Sequence, residues 1–507
     1  MTEIPWSAAL RTLAARFGAA PAVTDHANRV LSYAQLDARA HALAEVLAAR
    51  EVVAGTPVAI LLPNGIDAVW AAYGVRLAGA ADAPLGWGST QDEIAWAAQL
   101  ARFTLVITQE ERVPLLAGLG LQTLLAADIP DAPREPRVWP AVAADATGKL
   151  LFTSGTTGRP KGVRYTHGRR WIGEQLLRAT LPFTPRRGAR LLLVTPFPHG
   201  ASLLTFAWCE YGGHVLLEAG ADPQRMAALL RRRDVEALFA PPTVLAKLAA
   251  ALPGERFEGV RCVFTGTQPL PATLYAKARE MFGPVVRITY GKSECFNPIT
   301  VLEPADTQAW FADDARPAGA CVGWPAPGVQ IRIADDGQVW LRAQHMCNEL
   351  IGPDGAIAHE GGWHATGDIG AFDQRGRLLL HGRVADVIKT GGYRVNPDEI
   401  EALLTALPGC GAVCVAGLPS EYWGEIVMAV AEGASDGWQE QVMERVAALS
   451  RHKHPRLLLS APALPRNAQG KISRRELVRL VLATHQLADG PHPVLSPKPE
   501  GATAWTT

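Results

Sequence analysis

Short apolar runs that end in glycine or polar turns, each followed by a stretch with helical spacing, leave this chain few folds to choose from. Val58-Ala59-Ile60-Leu61-Leu62 is closed by Pro63-Asn64-Gly65, and Leu105-Val106-Ile107, Leu191-Leu192-Leu193-Val194 and Val215-Leu216-Leu217 repeat the pattern. Runs of this length bounded by turn residues read as buried strands. Between them lie helix signals: Ser32-Tyr33-Ala34-Gln35 is a capping box ahead of Leu36, Ala40, Leu43 and Leu47, and a further helix is expected around Met226 to Leu230. Such alternation predicts an α/β fold with largely parallel sheets, in which ligands gather at the carboxyl ends of strands. Two more strands, Val260 to Thr265 and Val285 to Thr289, each run straight into a polar or glycine-rich turn.

From about residue 319 the texture changes to hairpins. Asp336-Gly337 separates two alternating runs, and Arg375-Gly376 separates another pair ending at His381. Asn396-Pro397-Asp398-Glu399 then predicts a helix start, with Asn as cap, Pro at the first helical position and Glu399 closing a capping box. A compact α+β segment is expected from there to about residue 480, and the proline- and glycine-containing tail 488–507 is expected to be disordered. At 507 residues the chain is long enough for roughly three domains or for closely packed subdomains.

Composition narrows function mainly by exclusion. Formal net charge is zero, with 49 basic and 49 acidic residues, so no polyanion-binding surface is implied and no nucleic-acid partner is expected. The seven cysteines contain no C-x-x-C pair, which fits a reducing cytoplasm. The start Met1-Thr2-Glu3-Ile4-Pro5-Trp6 lacks the basic and apolar regions of a signal peptide, and the apolar stretch 68–83 is interrupted by Arg76, so no membrane span is expected. In a chain that favours arginine, Lys161, Lys389, Lys453 and Lys471 stand out.

One loop carries chemistry. After the apolar lead-in Leu150-Leu151-Phe152 come Thr153-Ser154-Gly155-Thr156-Thr157-Gly158-Arg159-Pro160-Lys161-Gly162. Glycines let successive backbone N–H groups turn inward as an anion nest, hydroxyls add donors, and Lys161 adds a charge able to reach a polyphosphate. The Walker A form, which needs Ser or Thr after Gly-Lys, is not met. The segment resembles the signature loop of the adenylate-forming superfamily: acyl- and aryl-CoA synthetases, peptide-synthetase adenylation domains and firefly-type luciferases. Further motifs follow in that family's order, closest to those of acyl- and aryl-CoA ligases, and the resemblance covers nearly the whole chain.

The resemblance implies a large domain, 1–383, of α/β subdomains with a small antiparallel β portion. A hinge at 384–386 follows, then a small mobile α+β domain, 387–487. It implies that ATP is held by Thr153, Ser154, Gly155, Thr156, Thr157, Gly158 and Lys161, with Gly266, Thr267 and Gln268 beside the adenine. Thr289, Tyr290, Gly291 and Ser293 would lie near the α-phosphate, and Asp368 and Arg383 on the ribose side. Ser293 stands where the family usually has Thr. Glu294 would help hold Mg2+. Lys471 would reach the active site from the small domain, so Lys471, Lys161 and Glu294 are the expected catalytic set.

His199, Gly200, Ala201, Thr289, Gly291, Cys295 and Phe296 are the expected acid pocket. Acetate-activating relatives carry tryptophan where this chain has Gly291, and Thr289, Cys295 and Phe296 add bulk, so a medium-sized aryl or short branched acid is expected. An α-amino acid is not, because the family's ammonium-binding Asp is replaced by His199. Lys389, Gly391 and Gly392 are expected to line the CoA tunnel. The pivot falls on Ala385, where the family usually has Asp or Lys, with Asp386 next to it.

The implied activity is AMP-forming acid–CoA ligation in the cytoplasm, with ATP and Mg2+ and with CoA as co-substrate. Alternatives are delivery of the acyl group to a carrier-protein thiol in trans or to an amine, and a non-catalytic nucleotide-binding regulator. His359-Glu360-Gly361-Gly362-Trp363-His364 has one residue too many and too much glycine for a helical zinc motif, and His452-Lys453-His454 falls in a connecting segment, so no zinc is expected.

Overall fold

The computed structural model describes residues 2–135, 137–153, 160–405, 407, 410–466 and 471–498, without the side chains of His199 and Asn297. Two compact units emerge, one of Met1–Arg316, Cys321–Ile331 and Leu341–His364, the other of Pro317–Ala320, Arg332–Trp340 and Ala365–Thr507.

The larger unit contains two mostly parallel sheets. Helix α1 (Tyr33–Ala48) begins at the expected box: Ser32 Oγ accepts from Gln35 N at 3.2 Å and Gln35 Oε1 accepts from Ser32 N at 2.9 Å. Leu36, Ala40, Leu43 and Leu47 on its inner face are all fully buried. Each such leucine contributes roughly 1.5–3 kcal/mol of burial. The first sheet is built on β1 (Pro57–Leu61), after which the chain turns into α2 (Ile66–Leu77). Then come β2 (Ala81–Pro84), β3 (Leu105–Thr108), β4 (Gln122–Leu125), β5 (Thr147–Thr153) and β6 (Lys161–Thr166). Their spatial order is β6-β5-β2-β1-β3-β4, with β5 and β6 antiparallel and the other pairs parallel.

Helix α3 (His167–Ala179) leads into the second sheet, whose first strand is β7 (Arg190–Leu193). Helix α4 (Ser202–Cys209) precedes β8 (His214–Leu217), β9 (Val235–Phe239) and β10 (Cys262–Gly266). The antiparallel pair β11 (Val286–Lys292) and β12 (Cys295–Leu302) completes the run. The order β8-β7-β9-β10-β11-β12 is parallel as far as β11. A later strand, β13 (Glu349–Gly352), returns to pair with β6 at the edge of the first sheet. The strands expected at 58–62, 105–107, 191–194, 215–217 and 260–265 are present within a residue or two of their expected ends, and the one expected at 285–289 runs on to Lys292.

In the smaller unit, β14 (His364–Phe372) and β15 (Leu378–Arg383) form the expected hairpin. A short hairpin of β16 (Ile388–Thr390) and β17 (Tyr393–Val395) precedes α5 (Pro397–Leu404). The long antiparallel pair β18 (Val413–Ser420) and β19 (Gly424–Glu432) follows, with β20 (Leu457–Ala461) parallel to β19. Helix α6 (Arg474–Thr484) packs Leu477 and Val481 into the core.

Two expectations need correction here. Asn396 caps α5 by accepting from Asp398 N at 3.2 Å, but Glu399 closes no box; its carboxylate takes Lys453 Nζ at 2.7 and 2.8 Å, a tertiary ion pair winning over the local one. The tail is ordered as far as it is described: β21 (His485–Ala488) pairs with β22 (Val494–Pro497). Asp489 accepts from Ser420 Oγ at 2.7 Å and Glu421 N at 2.6 Å, and Leu495 is buried. A single carboxylate and a single leucine outweigh the polar composition, and residues 499–507 lie outside the described residues.

Candidate active site

Both sheets of the larger unit reverse their strand order at one point, and the two points meet. In the first sheet β2 and β3 lie on opposite sides of β1; in the second, β8 and β9 lie on opposite sides of β7. Crevices for ligands open at the carboxyl ends of such strands. Asn64, in the turn after β1, ties the two ends together. Its Nδ2 donates to Thr195 O and Glu218 O, both at 2.9 Å, and its Oδ1 accepts from Phe197 N at 2.7 Å. Three backbone groups that no strand could satisfy are thereby paired by one amide side chain. The sequence showed Asn64 only as a strand terminator; nothing local marks it as the link between two sheets.

The turn held by Asn64 leads into a π-helical segment, Phe197–Ala201, which contains the expected acid-pocket residues His199, Gly200 and Ala201. Single π turns widen a helix and recur at functional sites. Ala201 is fully buried and Gly200 is partly exposed, with the Phe239 ring 3.9 Å from where a Cβ would stand.

The phosphate-loop segment joins two antiparallel strands, with Thr153 directly opposite Lys161 at its base. Ser154, Gly155, Thr156, Thr157 and Gly158 lie outside the described residues. Trp96 Nε1 donates to Pro160 O at 2.8 Å and pins the returning limb. At the ends of β10 and β11, Gly266 and Thr289 are register partners so close that a Cβ on Gly266 would stand 2.3 Å from Thr289 O. Thr267 has φ of +70°, a left-handed conformation that is an outlier for a β-branched residue and that clusters at ligand-binding sites. Gln268 follows, partly exposed.

Tyr290, Gly291, Ser293 and Glu294 occupy a tight reversal between β11 and β12, with a register shift between Tyr290 and Lys292. Tyr165 Oη donates to Ser293 O at 2.6 Å and Cys347 N donates to Glu294 O at 2.8 Å, so the turn is fixed through its backbone carbonyls while the Ser293 and Glu294 side chains stay partly exposed and Tyr290 is buried. The Glu294 carboxylate accepts no hydrogen bond among the described residues. A preorganised, unpaired and partly exposed carboxylate of this kind suits a hard divalent cation.

Cys295 and Phe296 do not form an open wall. Phe296 is 4% exposed, its ring 4.5 Å from that of Tyr165, and it fills the space left by Gly173 of α3, where a Cβ would stand 2.7 Å away. The bulk ascribed to the acid pocket is used in that core, and Cys295 is likewise buried.

In the smaller unit Asp368 and Arg383 are cross-strand partners of β14 and β15, with Arg383 Nε 3.3 Å from Asp368 Oδ1. Asp368 is 6% exposed; Thr366 Oγ1 accepts from its N–H at 3.1 Å and donates to Val339 O at 2.7 Å, which fixes the Thr-Gly-Asp turn. Lys471 lies just before Ser473, the N-cap of α6, beside a bridge between Arg466 and Ile472; residues 467–470 lie outside the described residues. Gly391 and Gly392 form the two-residue turn between β16 and β17, with φ of +56° and +83°. A hairpin of this kind demands glycines on its own account, so they need no ligand to explain them; Lys389 beside them is exposed.

Ala385 sits in a short turn, Val384–Asp386, and is exposed. Asp386 is held by Arg474 Nη1 at 2.7 Å, and the same guanidinium binds Asp398, Glu401 Oε2 at 2.7 Å and Val415 O at 3.0 Å. Burial is the largest influence on Glu401 and lifts its carboxyl to about 7 despite Arg474. His452 stacks on Tyr393 with ring centroids 4.3 Å apart, and His454 Nε2 lies 2.9 Å from Leu449 O, so both are structurally engaged.

The family models for the AMP-binding enzyme and for the AMP-binding enzyme C-terminal domain match residues 10–345 and 399–471. The chain belongs to the adenylate-forming AMP-binding enzymes. It is 30% identical over 480 residues to the long-chain-fatty-acid–CoA ligase FadD13 of Mycobacterium tuberculosis, covering 90% of this chain and 94% of that one. It is 28% identical to the 2-succinylbenzoate–CoA ligase of Geobacillus kaustophilus, covering 92% and 96%. Among solved structures it superposes on the o-succinylbenzoate CoA synthetase of Bacillus subtilis in complex with its acyl-adenylate intermediate, with TM-score 0.83, 25% identity and coverage of 94% and 98%. The same synthetase in complex with ATP and a magnesium ion gives TM-score 0.82 at 25% identity, with coverage of 94% and 100%. Within the family the chain stands with the AMP-forming acyl- and aryl-CoA ligases, which use ATP and magnesium. It is an ATP-dependent acid–CoA ligase. Among the described residues no helix is long and apolar enough to cross a membrane.

Proposed function

We propose that this adenylate-forming enzyme activates a medium-sized carboxylic acid, aryl or short branched, where its two sheets reverse their order, and then passes the acyl group to CoA in the cytoplasm. The meeting of the two reversal points at Asn64 carries this reading, because it sets the turn of His199 to Ala201 beside the ends of the strands that bear the nucleotide motifs. The acid is ionised at neutral pH and attacks the α-phosphorus directly, so no general base is required. Negative charge spreads over the attacking carboxylate and the leaving pyrophosphate, and Lys161 and Lys471 are the cations assigned to answer it. Glu294 would hold Mg2+, which when bound neutralises phosphate charge. The strained Thr267 shapes the adenine side, and Asp368, paired with Arg383, accepts from the ribose hydroxyls. Seven free cysteines, six of them buried, are in keeping with a reducing compartment.

Acid-dependent pyrophosphate release, run over a panel of acids with and without CoA, tests the reading. Release with a medium-sized acid, and acyl-CoA formation when CoA is added, are expected. Adenylate that accumulates without reacting with CoA would turn the second step toward a carrier thiol or an amine, and no release with any acid would overturn the reading. Lys471→Ala should nearly abolish pyrophosphate release yet leave thioester formation from supplied acyl-adenylate largely intact; equal losses in both would remove Lys471 from its assigned step.

A further inference from the structure

Strand β6 returns from the phosphate loop and runs into α3, and three consecutive residues just before β13 are tied to that junction. Asn348 N donates to Arg164 O at 2.8 Å, and Asn348 Oδ1 accepts from Thr166 N at 2.9 Å. Arg169 takes the other two: its Nη1 donates to Met346 O at 2.9 Å and to Cys347 O at 3.2 Å. Thr166 caps α3, its Oγ1 accepting from Arg169 N at 3.3 Å, which fixes the turn that carries this arginine. On its other side the same segment meets the reversal between β11 and β12. Met346 stands opposite Cys295 in an isolated antiparallel bridge, and Cys347 N donates to Glu294 O at 2.8 Å.

Met346, Cys347 and Cys295 are all buried, and neither Met346 nor Cys347 belongs to a strand. Buried carbonyls in such a segment must find donors or the segment must move. Arg169 supplies a charged donor to both, and His359 Nε2 also lies 3.0 Å from Cys347 O. Hydrogen bonds from a charged donor are the stronger kind. Arg169 makes no ion pair among the described residues, so its guanidinium is committed to these two carbonyls.

The Glu294 carboxylate accepts no hydrogen bond of its own among the described residues, so its main chain decides where it stands. That main chain is held at two places. Tyr165 of β6 bonds Ser293 O directly, whereas the bond to Glu294 O comes from Cys347, which Arg169 holds in turn. Magnesium demands near-ideal geometry of its ligands, and groups that orient a ligand from behind influence affinity nearly as much as the ligand does.

We propose that Arg169 is a positioning residue for the magnesium carboxylate: through the carbonyls of Met346 and Cys347 and the N–H of Cys347 it holds the Glu294 main chain where the side chain can take the metal. The inference rests on the proposed role of Glu294 in holding Mg2+. The acid turn at 197–201 is tied to Asn64 instead, through Phe197 N. Loss of Arg169 therefore weakens metal binding and leaves acid affinity unchanged.

The test titrates Mn2+, which shares magnesium's preference for oxygen ligands, into the full-length enzyme with a non-hydrolysable ATP analogue. Bound metal is followed by electron paramagnetic resonance and corrected for binding by the analogue alone; KM for the acid is measured alongside. Arg169→Met should weaken Mn2+ binding by ~10-fold or more, the size expected when a ligand loses the group that orients it, with KM for the acid unchanged. Adding Arg169→Met to Glu294→Gln should weaken binding no further, because the two residues act in series. Arg169→Gln, which keeps a donor, is read by the same criteria should Arg169→Met not fold. Unchanged Mn2+ affinity, an equal loss in KM for the acid, or losses that add in the double variant would each overturn the inference. Undiminished Mn2+ binding by Glu294→Gln would instead remove Glu294 from the metal, so the two failures are distinguishable.

Discussion

Two charge clusters of this molecule are opposites. In the larger unit Arg76, Lys149 and Arg170 surround Asp82 and Glu174, all buried, and donors of Arg76 and Arg170 have no partner among the described residues. In the smaller unit a single guanidinium, Arg474, is shared by three carboxylates, Asp386, Asp398 and Glu401, all of them partly accessible. A surplus of cations lets the cluster lose one without stranding a carboxylate, whereas a surplus of carboxylates around one arginine makes a clamp in which every acid depends on the same cation. The second holds its chain segments together only through that arginine.

The clamp predicts the largest effect. Arg474→Met leaves three carboxylates without their shared cation and frees Asp386 from α5 and α6, and stranding partly buried charges in this way costs up to about 3–5 kcal/mol. Chemical denaturation should show the loss. A change under about 1 kcal/mol would mean that the three acids find other partners, and the contrast between the clusters would fall.

The clamp also determines where chain freedom ends. Asp386 is tied to Arg474, while its neighbour Ala385, in the turn Val384–Asp386, is exposed. Ala385→Pro fixes φ at that position. Adenylation should survive and CoA transfer should fall by ~10-fold or more, a barrier change of roughly 1.4 kcal/mol. Unchanged overall ligation would mean that the chain does not pivot at this residue.

Titration separates the clusters more gently. Glu401 has its carboxyl raised from 4.5 to about 7, burial being the largest cause. The folded chain therefore keeps a proton that the unfolded chain has lost, and the stability this contributes is fully present below about pH 4.5 and is lost as pH rises to about 7. Asp398, also raised by burial, acts in the same sense. Buried neutral histidines such as His214 and His345, lowered to about 4 by burial, act in the opposite sense and cancel in a comparison with a variant. The stability of Glu401→Gln relative to the wild type should rise between pH 4.5 and 7 and level off above. A pH-independent difference would show that Arg474 keeps Glu401 ionised throughout.

Much of this architecture was legible in the sequence because strands and helices are local statements. The runs ending at Leu62, Val194 and Thr265 and the caps at Ser32 and Asn396 follow from neighbouring residues alone. The site was legible only as separate motifs. Asn64, Lys149 and Arg474 act across 131, 67 and 88 residues of chain, on Thr195, Asp82 and Asp386. No periodicity encodes such pairings. Phe296 and Glu399 illustrate the same limit from the other side: each has a plausible local role, and each is taken instead by a tertiary partner, the Tyr165–Gly173 core and Lys453. Asp82 and Lys149 look like interruptions of apolar strands until the register sets them side by side.

The smallest expected effect is the sharpest test of the contrast. Lys149→Met removes one charge from a cluster that holds one cation too many, leaving Arg76 and Arg170 against Asp82 and Glu174. Asp82 keeps Arg170 as its partner, and the methionine retains most of the lysine stem in a cavity lined largely by apolar residues. Breaking a buried pair is costly because it strands a charge; here no carboxylate is stranded, so denaturation should register a change within about 1 kcal/mol, in either direction. A loss of about 3–5 kcal/mol, the size foreseen for Arg474→Met, would mean that Asp82 depends on Lys149 as the three acids depend on Arg474. The larger unit would then hold a second clamp, and the contrast between the clusters would fall.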